Sequence, residues 1–155
     1  MYETFEHTAD LGLRIQAESL ERLFEEAAEA LFSVLVVNWN QTATVQQETL
    51  RLEAESLEDL LHDWLSELLV LFALRKLVGR RFEVRLERQT LQVAGPPEGM
   101  ASIMGPPIQM EQEVLEGTIW GDRLDPDQHQ LGPEVKAVTY HGLRVEKHPT
   151  GWLAE

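Results

Sequence analysis

The sequence predicts an α+β fold in which one or more mainly antiparallel sheets pack against two long amphipathic helices. Apolar residues recur at helical spacing in two segments, residues 20–36 and 57–77. Elsewhere the apolar period changes to two, which is typical of half-buried strands. At 155 residues the chain is long enough to bury a core of its own, so we expect a single domain over residues 1–155.

The same short sequence introduces both predicted helices. Residues 14–21 read RIQAESLE, and residues 51–58 read RLEAESLE. Each copy leads a strand-like run into a serine, Ser19 or Ser56, whose hydroxyl can cap a helix by accepting an orphan backbone N–H. We therefore expect two strand–helix units packed side by side. The second helix is apolar nearly all round in its C-terminal half, so we expect it to be central.

Alternating patterns predict the strands, which we expect over residues 44–54, 81–88, 90–94, 112–120, 135–140 and 143–147. The dipeptide at 141–142 predicts a hairpin turn into the last of these. Residues 95–107 contain three glycines and four prolines and are expected to connect two strands irregularly. The methionines in this segment leave open a second interpretation, an adaptable partner-binding patch.

Composition excludes several classes of function. The chain has no cysteine, so it has no thiolate metal site and no cysteine nucleophile; this fits a reducing cytoplasm. We expect no signal peptide and no membrane span, because the longest apolar run is too short. The net charge of −14 disfavours direct binding of nucleic acid. An acidic chain can instead dock on a basic protein, although solubility alone also explains the charge. Nothing in the sequence predicts the oligomeric state.

Three ionisable residues, Asp10, His7 and Lys136, stand in apolar, strand-like surroundings. Asp10 offers a hard oxygen suited to magnesium, manganese or calcium, or alternatively an acceptor for the N–H groups of a turn. His7 can orient Asp10, ligate a metal or fill the core. Lys136 shares its side of a predicted strand with apolar residues, so its ammonium group needs a carboxylate partner. Asp10 and Glu134 are both candidates.

A further acidic group lies in residues 121–129 and comprises Asp122, Asp125, Asp127 and His129. It lacks the spacing of an EF-hand loop, which leaves a weak cation site or a solvated loop. The chain has no G-x-S-x-G, P-loop or H-E-x-x-H motif. A metal-dependent hydrolase built from Asp10, His7 and this group is therefore the least supported hypothesis.

Three blocks together resemble the archease family. They are HTADLG at residues 7–12, WLSELL at 64–69 and EVKAVTYH at 134–141. The resemblance implies a compact α+β protein that is not itself an enzyme. It implies an accessory protein that activates an RtcB-type RNA ligase in tRNA splicing and RNA repair, by promoting GTP-dependent guanylation and multiple turnover. A general chaperone or protein-interaction scaffold is the alternative.

The resemblance also implies residue roles. Asp10 takes the position of the family's N-terminal metal-binding aspartate, and Lys136 that of its functionally important strand lysine. His129 stands where the family commonly ends an Arg–His pair, with Gln128 replacing the arginine. The implied cofactor is a divalent metal ion, calcium or magnesium/manganese. Family members end in an apolar strand that closes in a second aspartate ligand. Residues 151–155 stand where that strand should begin, so we expect the second aspartate ligand to be absent here.

Overall fold

The computed structural model describes residues 1–7, 10–92, 109–135, 137–138 and 143–155; at residues 5–7, 10–11, 91–92 and 109 it describes the backbone alone. In chain order the elements are β1 (Tyr2–His7), β2 (Asp10–Ala17), α1 (Leu20–Leu35), a 3-10 turn (Trp39–Gln41), β3 (Gln46–Ala54), α2 (Leu57–Arg75), β4 (Leu77–Gln92), β5 (Gln109–Arg123), β6 (Val145–His148) and β7 (Gly151–Ala154). The predicted α+β class is confirmed.

The strands form two antiparallel sheets. The first has the order β1-β2-β7-β6 and the second the order β3-β5-β4. Helix α1 contacts strands of both sheets, whereas α2 lies over the second sheet. The apolar faces of both helices and of the sheets meet in one buried cluster. Its largest member is Trp64, which is fully buried and meets the ring of Phe82 edge-on.

The internal repeat corresponds to two strand–helix units, as expected. The hydroxyl oxygen of Ser19 accepts the Arg22 N–H, and that of Ser56 accepts the Asp59 N–H, each at 3.1 Å. The two helices pack against each other. The strands that precede them do not: β2 belongs to the first sheet and β3 to the second. The units are therefore joined through their helices.

The second helix ends earlier than predicted. It stops at Arg75, and Lys76 adopts a left-handed conformation with φ of 56° and donates its N–H to the Leu71 carbonyl. Leu77 and Val78 then begin β4 and are buried. These two residues extend the apolar pattern of the helix, which is why spacing alone placed the end at 77. The strand predicted at 81–88 and residues 90–92 of the one predicted at 90–94 form the single strand β4. Residues 93–94, and the side chains of residues 91–92, lie outside the described part.

The strand predicted over 135–140 is wrong where it can be checked. Val135, Ala137 and Val138 belong to no strand. Val135 and Val138 nevertheless pack on the core, so apolar residues are partly buried here without forming a strand. The predicted turn at 141–142 and the segment 95–107 lie outside the described residues. The ends that flank the latter are paired, with Gln92 opposite Gln109.

Candidate functional site

Asp10 stands at the end of a hairpin. It is the first residue of β2, and its Cα partner across the ladder is His7, the last residue of β1. The backbone thus sets the two N-terminal candidate residues opposite each other. Residues 8 and 9 and both side chains lie outside the described part, so the metal-ligand role of Asp10 stays a prediction.

His129 is buried, with 6% of its surface exposed. Its Nδ1 accepts the backbone N–H of Asp125 at 2.9 Å, and its own backbone N–H donates to the Asp125 carbonyl at 2.7 Å. A backbone amide can only donate, so this contact requires Nδ1 to be unprotonated and the ring proton to sit on Nε2. His129 therefore closes a turn, and its functional role stays a prediction from the resemblance.

The acidic residues near His129 bind backbone groups. Asp122 accepts the Arg123 N–H at 2.8 Å, and the carboxylate of Asp125 accepts the Asp127 N–H at 3.0 Å. Such contacts are typical of turn-forming aspartates. Across the described ranges no three histidine, aspartate or glutamate side chains are grouped so that they could hold a metal ion. The geometry favours a solvated loop over a cation site here.

The loop that carries His129 is tied to the C-terminal ends of both helices. The Asn38 side chain accepts the Gln130 N–H at 2.8 Å and donates to the Gln128 carbonyl at 2.6 Å. Leu124 donates its N–H to the Lys76 carbonyl at 2.6 Å. Asn38 was not among the residues predicted from the sequence. The only available signal was a short polar residue just beyond a predicted helix end, where asparagine commonly binds backbone groups.

Lys136 lies outside the described residues, but its surroundings are partly fixed. The carbonyl oxygen of Val138 lies 3.0 Å from Nε2 of His62 on α2, and Nδ1 of His62 lies 3.1 Å from the Asp63 carboxylate. Val138, two residues after Lys136 in the sequence, is thus held against α2. His62 was also missed, because an isolated histidine beside an apolar helix face carries no distinctive pattern.

The C-terminal residues form a short strand, at the point where the family's last strand is expected to begin. This strand, β7 (Gly151–Ala154), contains no aspartate and pairs with both β2 and β6. Four residues, one of them a glycine at φ of 144°, are too few to show an alternating pattern. Within the following residue, Glu155, one carboxylate oxygen accepts from Arg14 at 2.9 Å and the other from Arg144 at 2.6 Å.

These arginines define the electrostatics of Glu155. The hydrogen bond from Arg14, joined by that from Arg144, lowers the pKa of the Glu155 carboxyl from 4.5 to about 2. The same contacts raise the pKa of both guanidinium groups. Arg14 also donates to Glu3 at 2.9 Å, so the ion pairs extend across the sheet to β1. In this arrangement the Glu155 carboxylate is engaged by two cations.

None of the helices in the described part of the chain combines the length and the apolar character needed to cross a membrane.

Comparison with known proteins identifies the family. The archease protein family model matches residues 2–155. Protein archease of Pyrococcus abyssi is 37% identical over 155 residues, covering 99% of this chain and 94% of the relative. Protein archease of Methanosarcina mazei is 36% identical over 154 residues, covering 99% and 92%. The solution structure of protein 1598 of Methanobacterium thermoautotrophicum shares the fold, with a TM-score of 0.70 at 24% identity over 99% of this chain and 94% of that one. The chain therefore belongs to the archease family.

Proposed function

We propose that this chain is an accessory protein that activates an RtcB-type RNA ligase in tRNA splicing and RNA repair. It would promote GTP-dependent guanylation of the ligase and its multiple turnover, without catalysing a reaction itself. The observation that carries this proposal is the match to the archease family over residues 2–155, which is consistent with an accessory protein in RNA processing. The residues proposed to act are Asp10, Lys136 and His129.

The topology supports grouping Asp10 with the loop that carries His129. Only two residues join β2 to α1, and the two elements pack together, so α1 runs back along β2. Eight residues of strand and 16 of helix have similar lengths, about 25 Å each. The C-terminal end of α1 therefore returns toward the Asp10 end of β2. That end of α1 holds the 124–131 loop through Asn38.

In the sequence, Lys136 lies between two residues whose contacts are described. Leu131 forms a bridge with Val36, just beyond α1, and Val138 lies beside His62 on α2. Lys136 contributes a positive charge to a chain whose net charge is −14. We propose that its ammonium group pairs with a carboxylate or with a nucleotide phosphate at the ligase interface.

A divalent cation fits the chemistry of Asp10 in one specific way. The described residues offer no complete ligand set, so Asp10 would supply a single hard oxygen. Magnesium sites commonly have one or two carboxylates and take their other ligands from water and substrate phosphates. When bound, such an ion would stabilise phosphate charge. The remaining ligands would then come from solvent, from the ligase or from its nucleotide, with calcium and manganese as the other candidate ions.

The charge of the chain supports a basic protein partner. A net charge of −14 produces a field that speeds encounter with a positively charged surface. A ligase that binds RNA must present such a surface. This steering predicts that stimulation weakens as the salt concentration rises.

The test is guanylation of the cognate ligase, measured as covalent GMP incorporation, together with multiple-turnover joining. The wild-type chain should raise both. Asp10→Ala should abolish the effect while the melting temperature stays unchanged, and Asp127→Ala, which removes an exposed loop carboxylate, should retain it. Undiminished stimulation by Asp10→Ala would remove Asp10 from the mechanism. Suppression of aggregation of unrelated proteins, with no effect on guanylation, would instead support the chaperone alternative.

A further inference from the structure

At two edges of the described sheets, a glutamate from a helix binds a backbone N–H of the edge strand. The Glu25 carboxylate of α1 accepts the Val84 N–H of β4 at 2.9 Å. The Glu58 carboxylate of α2 accepts the Val145 N–H of β6 at 3.2 Å. Edge strands with unpaired backbone groups recruit other strands, and proteins commonly block them with side chains or covering elements. Each of these contacts occupies one backbone N–H of its edge strand.

Strand β3 forms a third edge and has no such protection within the described part of the chain. Its nine residues pair with β5 in unbroken register from Gln46 to Ala54. The strand contains no proline, glycine or lysine, the residues that commonly blunt an edge. Apart from the ladder with β5, the backbone of β3 forms no hydrogen bond with another described residue. A long, regular and open edge of this kind is a template for strand addition.

The side chains of β3 also leave some apolar surface exposed, which a partner strand could cover. Leu50, Leu52 and Ala54 point to the helix side and pack on the core, yet each is only partly buried. Arg51 and Glu53 lie on the opposite, exposed face and contact each other within the strand. A strand added beside β3 would cover the first group and could pair with the charges of the second.

We propose that β3 pairs antiparallel with β3 of a second copy of this chain, which creates a continuous six-stranded sheet. The interface is isologous, so a two-fold axis must pass through the β3 pair. We place the axis at Leu52. Arg51 then faces Glu53 of the second copy, and Glu53 faces its Arg51, while Leu52 faces Leu52 on the helix side.

Charge selects this register over its neighbours. An axis at Arg51 sets two arginines directly opposite each other, which is unfavourable. An axis at Leu50 sets Glu48 against Leu52 and forms no ion pair. Only the register centred on Leu52 sets both charged residues of the exposed face against opposite charges. The overall charge of −14 opposes association of two copies, so the measurement requires moderate salt.

Sedimentation equilibrium tests the proposal. The wild-type chain should form a dimer, and Arg51→Glu or Glu53→Arg should weaken dimerisation about tenfold, because each sets like charges opposite each other twice. The double variant, Arg51→Glu with Glu53→Arg, should restore it. Arg85→Glu, on the exposed face of β4, should change nothing. A wild-type chain that stays monomeric at all concentrations, or a double variant weaker than both single ones, would overturn the proposal.

Cross-linking tests the register. The chain has no cysteine, so Leu52→Cys introduces the only thiol and sets it opposite itself. Directly opposed residues of an antiparallel pair lie about 4.5–5.5 Å apart at Cα, within the range that a disulfide spans. Mild oxidation should link Leu52→Cys into dimers faster than Leu50→Cys. The reverse preference, or no linkage in either variant, would overturn this arrangement, whatever the outcome of the ligase assay.

Discussion

The indole Nε1 of Trp64 donates to the carbonyl oxygen of Phe24 at 3.0 Å, which joins the two helices inside the core. Trp64 is fully buried, so its N–H requires this partner. Phe32 and Phe72 meet edge-on further along the same pair of helices, with ring centroids 6.2 Å apart. The helices therefore run in the same direction and are joined at Trp64 and at the Phe32–Phe72 pair.

Trp64→Ala should lower the free energy of unfolding by about 3–5 kcal/mol, since it removes a buried aromatic ring and leaves a cavity. Trp64→Phe should cost less, because most of the apolar volume remains and only part of the ring and its hydrogen bond are lost. Urea denaturation of the three proteins measures both differences. Equal losses for the two variants would show that the hydrogen bond, rather than the packed volume, accounts for the contribution of Trp64.

A glycine on β5 makes space for the same indole ring. A Cβ added at Gly117 would lie 2.7 Å from Cζ3 of Trp64, closer than atoms can pack. Gly117→Ala should therefore destabilise the fold by about 1–3 kcal/mol through overpacking. Thr118→Ala, at the next residue and on the other face of the strand, is the matched control and should change stability little. Unchanged stability in Gly117→Ala would mean that the Trp64 ring can shift at no cost.

Most of the fold was predictable because it follows from local rules. The spacing of apolar residues located both helices, and the serines at 19 and 56 located their first turns. The predicted boundaries were wrong where one apolar pattern continues from a helix into a strand. Leu77 and Val78 continue the apolar face of α2 but belong to β4, because the turn at Lys76 is set by backbone conformation rather than by hydrophobicity.

The candidate site was less predictable for a different reason. Asp10, Lys136 and His129 are identified through the family resemblance, whereas their contacts depend on long-range packing. Asn38 is 90 residues from Gln128, whose carbonyl it binds, and periodicity contains no information about such pairs. The role of Glu155 depends on Arg14, 141 residues away. The four-residue β7 that places it is too short for a sequence pattern.

Helix capping gives a prediction that compares the two repeat units. Ser56→Ala and Ser19→Ala should each lower stability by about 1 kcal/mol, because each leaves one N–H in the first turn without an acceptor. Asp should replace either serine with little loss, since its carboxylate can accept the same N–H. Thermal denaturation measures the series. If the aspartate variants lose as much stability as the alanine variants, the serine hydroxyl has a role beyond capping the helix.

His129 allows its structural role to be separated from a functional one. His129→Ala removes the acceptor of the Asp125 backbone N–H and should lower the free energy of unfolding by about 1–3 kcal/mol. His129→Asn can retain an acceptor near the position of Nδ1 and should recover much of that loss. If the imidazole only closes the turn, the asparagine variant will also stimulate the ligase. A stable asparagine variant that fails to stimulate would assign the ring a direct role at the interface.

Glu155 makes stability depend on pH in a defined window. Its carboxyl pKa is about 2 in the folded chain, against an ordinary value of 4.5, chiefly because Arg14 and Arg144 donate to it. A lowered folded-state pKa adds stability that is fully present above 4.5 and is lost as the pH falls toward 2. Glu155→Gln removes the charge, so the stability difference between wild type and variant should be constant near neutral pH and shrink between pH 4.5 and 2.

Urea denaturation across this pH range measures the stability difference. Glu87→Gln, which replaces an exposed carboxyl on β4, is the control. A wild-type advantage that persists unchanged down to pH 2 would mean that the two arginines hold Glu155 by shape and hydrogen bonding rather than through its charge.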